Sequence, residues 1–130
     1  MAMTAHVVYS ALDKTAPATL SPIVVDAIIR GEIGFDGLLM SDDLSMGALS
    51  GSLEDRTGAA FAAGCDMALH CNGDFEEMTA VASQTPDLAG RAAERAAAAL
   101  TWATCEETDI AAAREEFFAI IDAASSPGAA

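Results

Sequence analysis

The sequence predicts an α/β fold built on a parallel sheet, and three observations support this. Three short apolar runs cover residues 3–9, 37–41 and 66–71, and continuous apolar runs are typical of parallel strands buried on both faces. Segments with helical periodicity follow the runs, so that strand and helix alternate three times. Gly34 and Gly64 stand where a helix should end just before the next strand. We therefore expect three βα units with right-handed crossovers.

The first unit is predicted to begin with the β-prone run Met3–Tyr9, which leads into a turn-rich loop at 10–20. Ser21 is expected to cap the following helix, with Pro22 at its first position, because proline suits the first helical turn. Four apolar side chains at helical spacing should form the buried face of this helix: Val24, Val25, Ile28 and Ile29.

The second and third units follow the same pattern. Ser52 and Asp55 form a capping signature for a helix over 53–63, which comes after the second strand and its loop. Asp74 and Glu77 are expected to cap a short helix that follows the third strand and ends before Pro86. Two further helices are predicted at residues 87–104 and 109–123.

Length and charge exclude several classes of function. A chain of 130 residues can form one domain with a real core, but a complete eight-stranded barrel needs roughly 250 residues. The formal charge of -14 would repel nucleic acid and anionic lipid, so neither is expected as a partner. No signal peptide or membrane-spanning run is evident, and we predict a cytoplasmic protein. Residues 1–124 are expected to form the domain, and 125–130 a disordered tail.

The three cysteines are predicted to be reduced. Cys65, Cys71 and Cys105 make an odd number without a CxxC pair. Cys65 and Cys71 lie on or beside one predicted strand, roughly 20 Å apart, which is beyond the reach of a disulfide. We expect mostly buried thiols, as is usual in the cytoplasm. Cys71 has no evident base partner, so nucleophilic cysteine chemistry is not expected.

The second apolar run ends in two carboxylates, Asp42 and Asp43. In barrels of alternating strands and helices the active site lies at the carboxyl ends of the strands, so a carboxylate there is a catalytic candidate. Neighbouring side chains on a strand point to opposite faces, and the two should not act as a pair in one pocket. From the residues alone, capping of the following loop is the favoured interpretation and catalysis the alternative.

Five segments of the sequence together resemble one enzyme family. They are Met-Thr-Ala-His at 3–6, Pro-Ala-Thr-Leu-Ser at 17–21, Ile-Arg-Gly-Glu-Ile-Gly-Phe-Asp-Gly at 29–37, Ser-Asp-Asp-Leu-Ser-Met at 41–46 and Ala-Gly-Cys-Asp-Met at 63–67. Their types and order resemble the family 3 glycoside hydrolases, in particular the bacterial β-N-acetylglucosaminidase branch, over roughly residues 1–100. The resemblance implies strands six to eight of a (β/α)8 TIM barrel, so that residues 1–124 would be the C-terminal part of the catalytic barrel.

The resemblance also implies a reaction and a set of roles. The reaction is hydrolysis of terminal β-linked N-acetylglucosamine from cell-wall muropeptides, with retention of configuration and without metal or cofactor. Asp42 occupies the nucleophile position, directly after the serine at the strand end. Met46 should lie beside the sugar subsite, and Asp43 should be structural.

The two histidines are less clear from sequence. His6 ends the predicted first strand, where it either lines the substrate pocket or is a hydrogen-bonded histidine with a structural role; position alone does not separate the two. His70 lies within a buried strand, and a structural role is the favoured interpretation.

Several parts of the family's site have no counterpart in this chain. The family's acid/base histidine with its aspartate, a Lys-His-Phe-Pro-Gly stretch and the sugar-holding arginines all precede the matching segment, and none occurs here. We therefore expect a truncated chain that is inactive alone. The alternative is a non-catalytic half-barrel module that dimerises through its exposed edges or complements a missing N-terminal fragment.

Overall fold

A computed structural model describes residues 1–101 and 109–125 of the chain. Cys105 and most of the predicted tail lie outside the described residues; of that tail, only Ser125 is included, as the last residue of a helix. Within the described ranges, no helix combines the length and the apolar character that crossing a membrane requires.

Three parallel strands form one sheet in the order β1-β2-β3. They are β1 (Ala2–Met3), β2 (Leu39–Asp43) and β3 (Met67–Leu69). The predicted adjacent parallel strands are confirmed, with Asp42 at the carboxyl end of the middle strand. The helices are α1 (Ile23–Glu32), α2 (Leu53–Ala63), α3 (Phe75–Ser83), α4 (Gly90–Thr101) and α5 (Ile110–Ser125).

The first strand is much shorter than the predicted run over 3–9. Its last ladder bond runs from the Thr4 amide to the Met40 carbonyl. Beyond that point the carbonyls of Ala5 and Val7 accept hydrogen bonds from residues 19 and 18 of the following loop, at 3.2 and 2.9 Å. After Thr4 these backbone carbonyls are hydrogen-bonded to the loop and not to β2, so the chain leaves the sheet early.

The predicted helix caps are confirmed. Ser52 Oγ accepts from the Asp55 amide at 3.1 Å, and the Asp55 carboxylate accepts from the Ser52 amide at 3.2 Å, so both halves of the capping box are present before α2. Gly64 ends α2 with φ 107°, a left-handed conformation that favours glycine. Ser21 Oγ accepts from the Val24 amide at 3.2 Å and caps α1.

Helix α1 has a winding that the sequence did not predict. Ile33 N donates to Ile28 O at 2.8 Å, a span of five residues, and α1 is wound as a π-helix throughout. Such helices are rare. Its buried Val25 still packs with Leu39 of β2 and Ala63 of α2, so α1 and α2 meet against the middle strand of the sheet.

Strand β2 contains a bulge directly at the candidate nucleophile. Met40 pairs with Met67 and Asp43 pairs with Leu69, so two residues of β2, Ser41 and Asp42, lie opposite one residue of β3. A bulge bends a strand locally and re-aims its side chains. The bulge thus sets the direction of Asp42 at the carboxyl edge of the sheet.

Candidate active site

Asp42 presents a partly accessible carboxylate at the carboxyl edge of the sheet. Its side chain is half-buried, whereas the preceding Ser41 is fully buried. Oδ1 accepts a hydrogen bond from the Asp43 amide at 2.8 Å. No hydrogen bond from any described residue reaches Oδ2. One oxygen of Asp42 is therefore held and the other is available to a ligand.

Asp43 is occupied by structural hydrogen bonds instead. Oδ1 accepts from the amides of Ser45 and Cys71 at 3.0 and 3.3 Å, and Oδ2 accepts from Ser45 Oγ at 2.8 Å. Desolvation alone would raise the pKa of Asp43, but these hydrogen bonds hold it below its usual value. Asp43 joins the loop after β2 to the end of β3, in agreement with the structural role predicted for it.

Both ring nitrogens of His6 are hydrogen-bonded. Nδ1 lies 2.8 Å from Thr19 Oγ1, and Nε2 lies 2.9 Å from the backbone carbonyl oxygen of Asp43. Thr19 is fully buried and accepts a further hydrogen bond from the hydroxyl of Thr4 at 2.9 Å. Of the two interpretations left open by the sequence, this geometry favours the hydrogen-bonded histidine.

Met46 lies on the loop that follows β2, with 44% of its surface exposed. Its amide donates to the Asp43 carbonyl at 3.1 Å, which closes a turn directly after the strand. Arg56 of α2 holds the same loop, because its guanidinium donates to the carbonyls of Leu44, Met46 and Gly51 at 2.8, 3.3 and 3.1 Å. The exposed Met46 side chain is thus presented from a loop with a fixed backbone.

His70, just beyond the end of β3, has almost no access to solvent and no hydrogen-bond partner within the described residues. Its side chain is 6% exposed. Nε2 lies 3.4 Å from Glu77 Oε2, within ion-pair distance but outside hydrogen-bond geometry, and the Glu77 carboxylate accepts from Asn72 Nδ2 at 3.1 Å. His70 also lines an open cavity between β3 and α3.

The prediction of mostly buried thiols is right for Cys65 and wrong for Cys71. Cys65 is enclosed between the sheet and α2, and burial raises its pKa to about 11. Cys71 is exposed, because β3 ends at Leu69 and the chain has already left the sheet. Partial desolvation and the nearby Asp43 carboxylate raise the pKa of Cys71, which disfavours the reactive thiolate.

Sequence reasoning missed the residues that support the site. These residues are Thr4, Thr19 and Arg56, which are far from Asp42 in the sequence. Their spacing alone gives no indication that they lie near the site. The two threonines do lie inside the segments at 3–6 and 17–21 that carry the family resemblance. Among the described residues, no three His, Cys, Asp or Glu side chains are grouped closely enough to hold a metal ion.

Comparison with known proteins gives this arrangement a family. A family model described as "Glycosyl hydrolase family 3 N terminal domain" matches residues 1–100. The chain belongs to glycosyl hydrolase family 3. The resemblance predicted from sequence is confirmed, over the same part of the chain.

Individual proteins similar to this chain agree with this assignment. A β-hexosaminidase of Alkalilimnicola ehrlichii is 47% identical over 87 residues, which cover 65% of this chain and 24% of that protein. The crystal structure of a β-N-acetylhexosaminidase from Beutenbergia cavernae has a TM-score of 0.62 and 35% identity, covering 75% of this chain and 32% of the other. For a β-N-acetylglucosaminidase from Thermotoga maritima the TM-score is 0.66 and the identity 32%, with coverage of 78% and 25%.

The described α/β architecture with its small parallel sheet is consistent with the barrel domain of the family. The chain spans about a quarter of the length of the curated relatives that it matches.

Proposed function

We propose that this segment supplies the nucleophile of a retaining β-N-acetylhexosaminidase, and that the nucleophile is Asp42. The observation that carries the proposal is the carboxylate of Asp42, half-buried at the carboxyl edge of the sheet, with one oxygen fixed and the other without a hydrogen bond from the described residues. Active sites of βα barrels lie at this edge. Asp43, the only other carboxylate at the end of β2, has both oxygens occupied.

The chemistry proceeds in two displacements. Oδ2 of Asp42 attacks the anomeric carbon while the bond to the leaving group breaks, which forms a covalent glycosyl ester. Water then attacks the same carbon, releases the sugar with its original configuration and restores the carboxylate. A separate group must protonate the leaving oxygen. His6 is not suited to that task, because both of its nitrogens already have partners.

The names of similar proteins support a substrate class. Proteins similar to this chain are named β-hexosaminidase and β-N-acetylglucosaminidase, so terminal β-linked N-acetylglucosamine is the proposed substrate. Muropeptides of the cell wall are the proposed natural source of that sugar, and the cytoplasm the proposed compartment.

The two adjacent aspartates provide the test and its matched control. Residues 1–101 are joined to the preceding barrel segment of a family 3 relative, and aryl N-acetylglucosaminide hydrolysis is measured for the Asp42→Asn and Asp43→Asn forms of this chimera. Asn keeps the size but removes the nucleophilic charge, so Asp42→Asn should abolish turnover. Asp43→Asn should retain activity and lose about 0.5–2 kcal/mol of stability, as for a lost cap. The reverse ranking would place the nucleophile at Asp43.

We further propose that the 130-residue chain by itself does not hydrolyse aryl N-acetylglucosaminides above background. General acid catalysis supplies a factor of about 10²–10⁴, and neither His6 nor the enclosed His70 offers a free proton donor beside Asp42. Turnover by the isolated chain that disappears in Asp42→Ala would contradict this.

A non-catalytic, self-associating module is the second candidate, and the open edge at β1 favours it. Half-exposed apolar side chains lie on β1 and on the segment that follows it: Met3, Val7, Val8, Tyr9 and Leu12. Unpaired apolar edges promote association. Sedimentation of the 130-residue chain over a range of concentrations tests it, since this candidate requires a dimer and a charge of -14 opposes one.

A further inference from the structure

His6 has a single tautomer that satisfies all of its hydrogen bonds. The carbonyl oxygen of Asp43 can only accept, so the proton on the ring must be at Nε2, 2.9 Å away. Nδ1 of the neutral ring is then an acceptor, and its partner at 2.8 Å is the hydroxyl of Thr19. The ring orientation is therefore fixed from both sides.

A hydrogen bond from Thr4 orients the hydroxyl group of Thr19. The Thr4 hydroxyl donates to Thr19 Oγ1 at 2.9 Å, and both threonines are buried. Thr19 thus accepts one proton and has its own proton left for Nδ1 of His6. The four groups form one directed chain, from Thr4 through Thr19 and His6 to the carbonyl of Asp43.

The carbonyl at the end of this chain belongs to the peptide unit between Asp43 and Leu44. The N–H of the same unit donates to the Leu69 carbonyl of β3 at 2.9 Å. His6 follows β1, so the peptide is held on one side from β1 and on the other side from β3. It begins one residue after Asp42, whose Oδ1 accepts from the amide of Asp43.

We infer that His6 is a positioning residue for Asp42. Its side chain replaces the backbone hydrogen bond that β1 no longer provides to the end of β2. Backbone pairing between β1 and β2 ends at the bond from Thr4 to Met40. Three residues further along β2, the imidazole donates to Asp43 in its place. His6 therefore fixes the backbone that carries the nucleophile, and neither binds the sugar nor transfers a proton. The positioning role rests on the function proposed for Asp42.

The tautomer is tested on the 130-residue chain without any substitution. Long-range ¹⁵N–¹H imidazole spectra report which ring nitrogen carries the proton. We expect a single form of His6 protonated at Nε2. A proton at Nδ1, or a mixture of the two tautomers, overturns the inference.

Two variants of His6 test whether its hydrogen bond to the Asp43 carbonyl stabilises this peptide unit. Gln places a donor near the position of Nε2, whereas Leu has none. Hydrogen exchange of the Leu44 amide should be about tenfold faster in His6→Leu, the effect of losing one hydrogen bond, and should return to near the native rate in His6→Gln. Equal exchange rates in the native chain and His6→Leu overturn the inference.

The chimera described above tests the consequence for catalysis. His6→Leu should lower kcat by about 10²-fold at little change in KM, as expected from a misplaced nucleophile, and His6→Gln should retain most of the activity. A raised KM with unchanged kcat would assign His6 to sugar binding and overturn the inference. An inactive chimera with native Asp42 would refute the proposed function instead, and the tautomer and Leu44 exchange then decide the placement of His6 alone.

Discussion

Ser41 Oγ accepts a hydrogen bond from the backbone amide of Leu69 at 2.9 Å. The bulge in β2 removes the regular ladder partner of this amide, and the serine side chain takes its place. Ser41 is fully buried, so water cannot replace it there. The residue before the proposed nucleophile thus keeps β2 and β3 joined where their register shifts.

Ser41→Ala is therefore expected to lower the free energy of unfolding by about 1–3 kcal/mol, the usual penalty for a buried amide left without a partner. Urea denaturation measures it. Ser50→Ala is the matched control, because Ser50 is exposed on the following loop and should change stability by less than about 0.5 kcal/mol. Equal effects of the two substitutions would show that the hydroxyl of Ser41 does not support the bulge.

Asp66 directly precedes β3 and connects the amino-terminal ends of the strands to two helices. Its carboxylate, 6% exposed, accepts from Arg30 of α1 at 2.8 Å, from Arg95 of α4 at 2.9 Å and from the Leu39 amide at 2.9 Å. Asp66→Asn should cost about 3–5 kcal/mol, because it leaves two largely buried guanidinium groups without their shared charge.

The control for Asp66 is Asp36, which also binds Arg95 but is 56% exposed. Solvent screens exposed ion pairs, which contribute little to stability, so Asp36→Asn should have a small effect. Thermal and urea unfolding of both variants, at low and high salt, distinguish the two. A loss for Asp36→Asn as large as that for Asp66→Asn would contradict this ranking.

Local signals in the sequence were sufficient to predict the strands and helices and their order along the chain. The caps at Ser21 and Ser52 and the stop at Gly64 depend on neighbouring residues only, and each is found where it was predicted. The carboxylates at the end of β2 were found for the same reason, since a strand end is visible as the end of an apolar run.

Features that depend on distant partners were not predictable. The contacts from His6 to Thr19 and Asp43 span 13 and 37 residues, and the sequence left its role open. The early end of β1 depends on competition from residues 18 and 19 for its backbone groups. The bulge at Ser41 requires a register that only the packed sheet defines. The π winding of α1 has no local signal that we recognise.

Replacement of His70 is predicted to stabilise the folded protein. Its ring nitrogens are buried without hydrogen bonds among the described residues, and apolar side chains of Ala68, Met78 and Val81 line the cavity beside it. Burying an unsatisfied polar group is unfavourable, so His70→Leu should raise the free energy of unfolding by about 1 kcal/mol. His6→Leu, which removes a hydrogen-bonded ring, should lower it. Urea unfolding of both variants checks the prediction, and a destabilised His70→Leu would mean that the ring has a partner.

Asp13 should make the entrance to α1 sensitive to acid. Oδ2 accepts from Ser21 Oγ at 2.7 Å, and Oδ1 accepts from the amide and hydroxyl of Thr15 at 2.8 and 2.6 Å. These hydrogen bonds, that from Ser21 first, lower the pKa of Asp13 to about 2, below the ordinary value of about 3.9 expected in the unfolded chain. Because the folded state prefers the ionised form, the stabilisation is fully present above about pH 4.

As the pH falls through about 2, Asp13 is protonated in the folded state as well, and this stabilisation is lost. Asp13→Asn should therefore be less stable than the native chain at neutral pH, and the difference should shrink between about pH 4 and pH 2. Asp87→Asn, at an exposed position, is the control. Urea unfolding from pH 7 to pH 2 measures both. A difference for Asp13→Asn that stays constant over this range would show that the ionised carboxylate does not hold Ser21 at the start of α1.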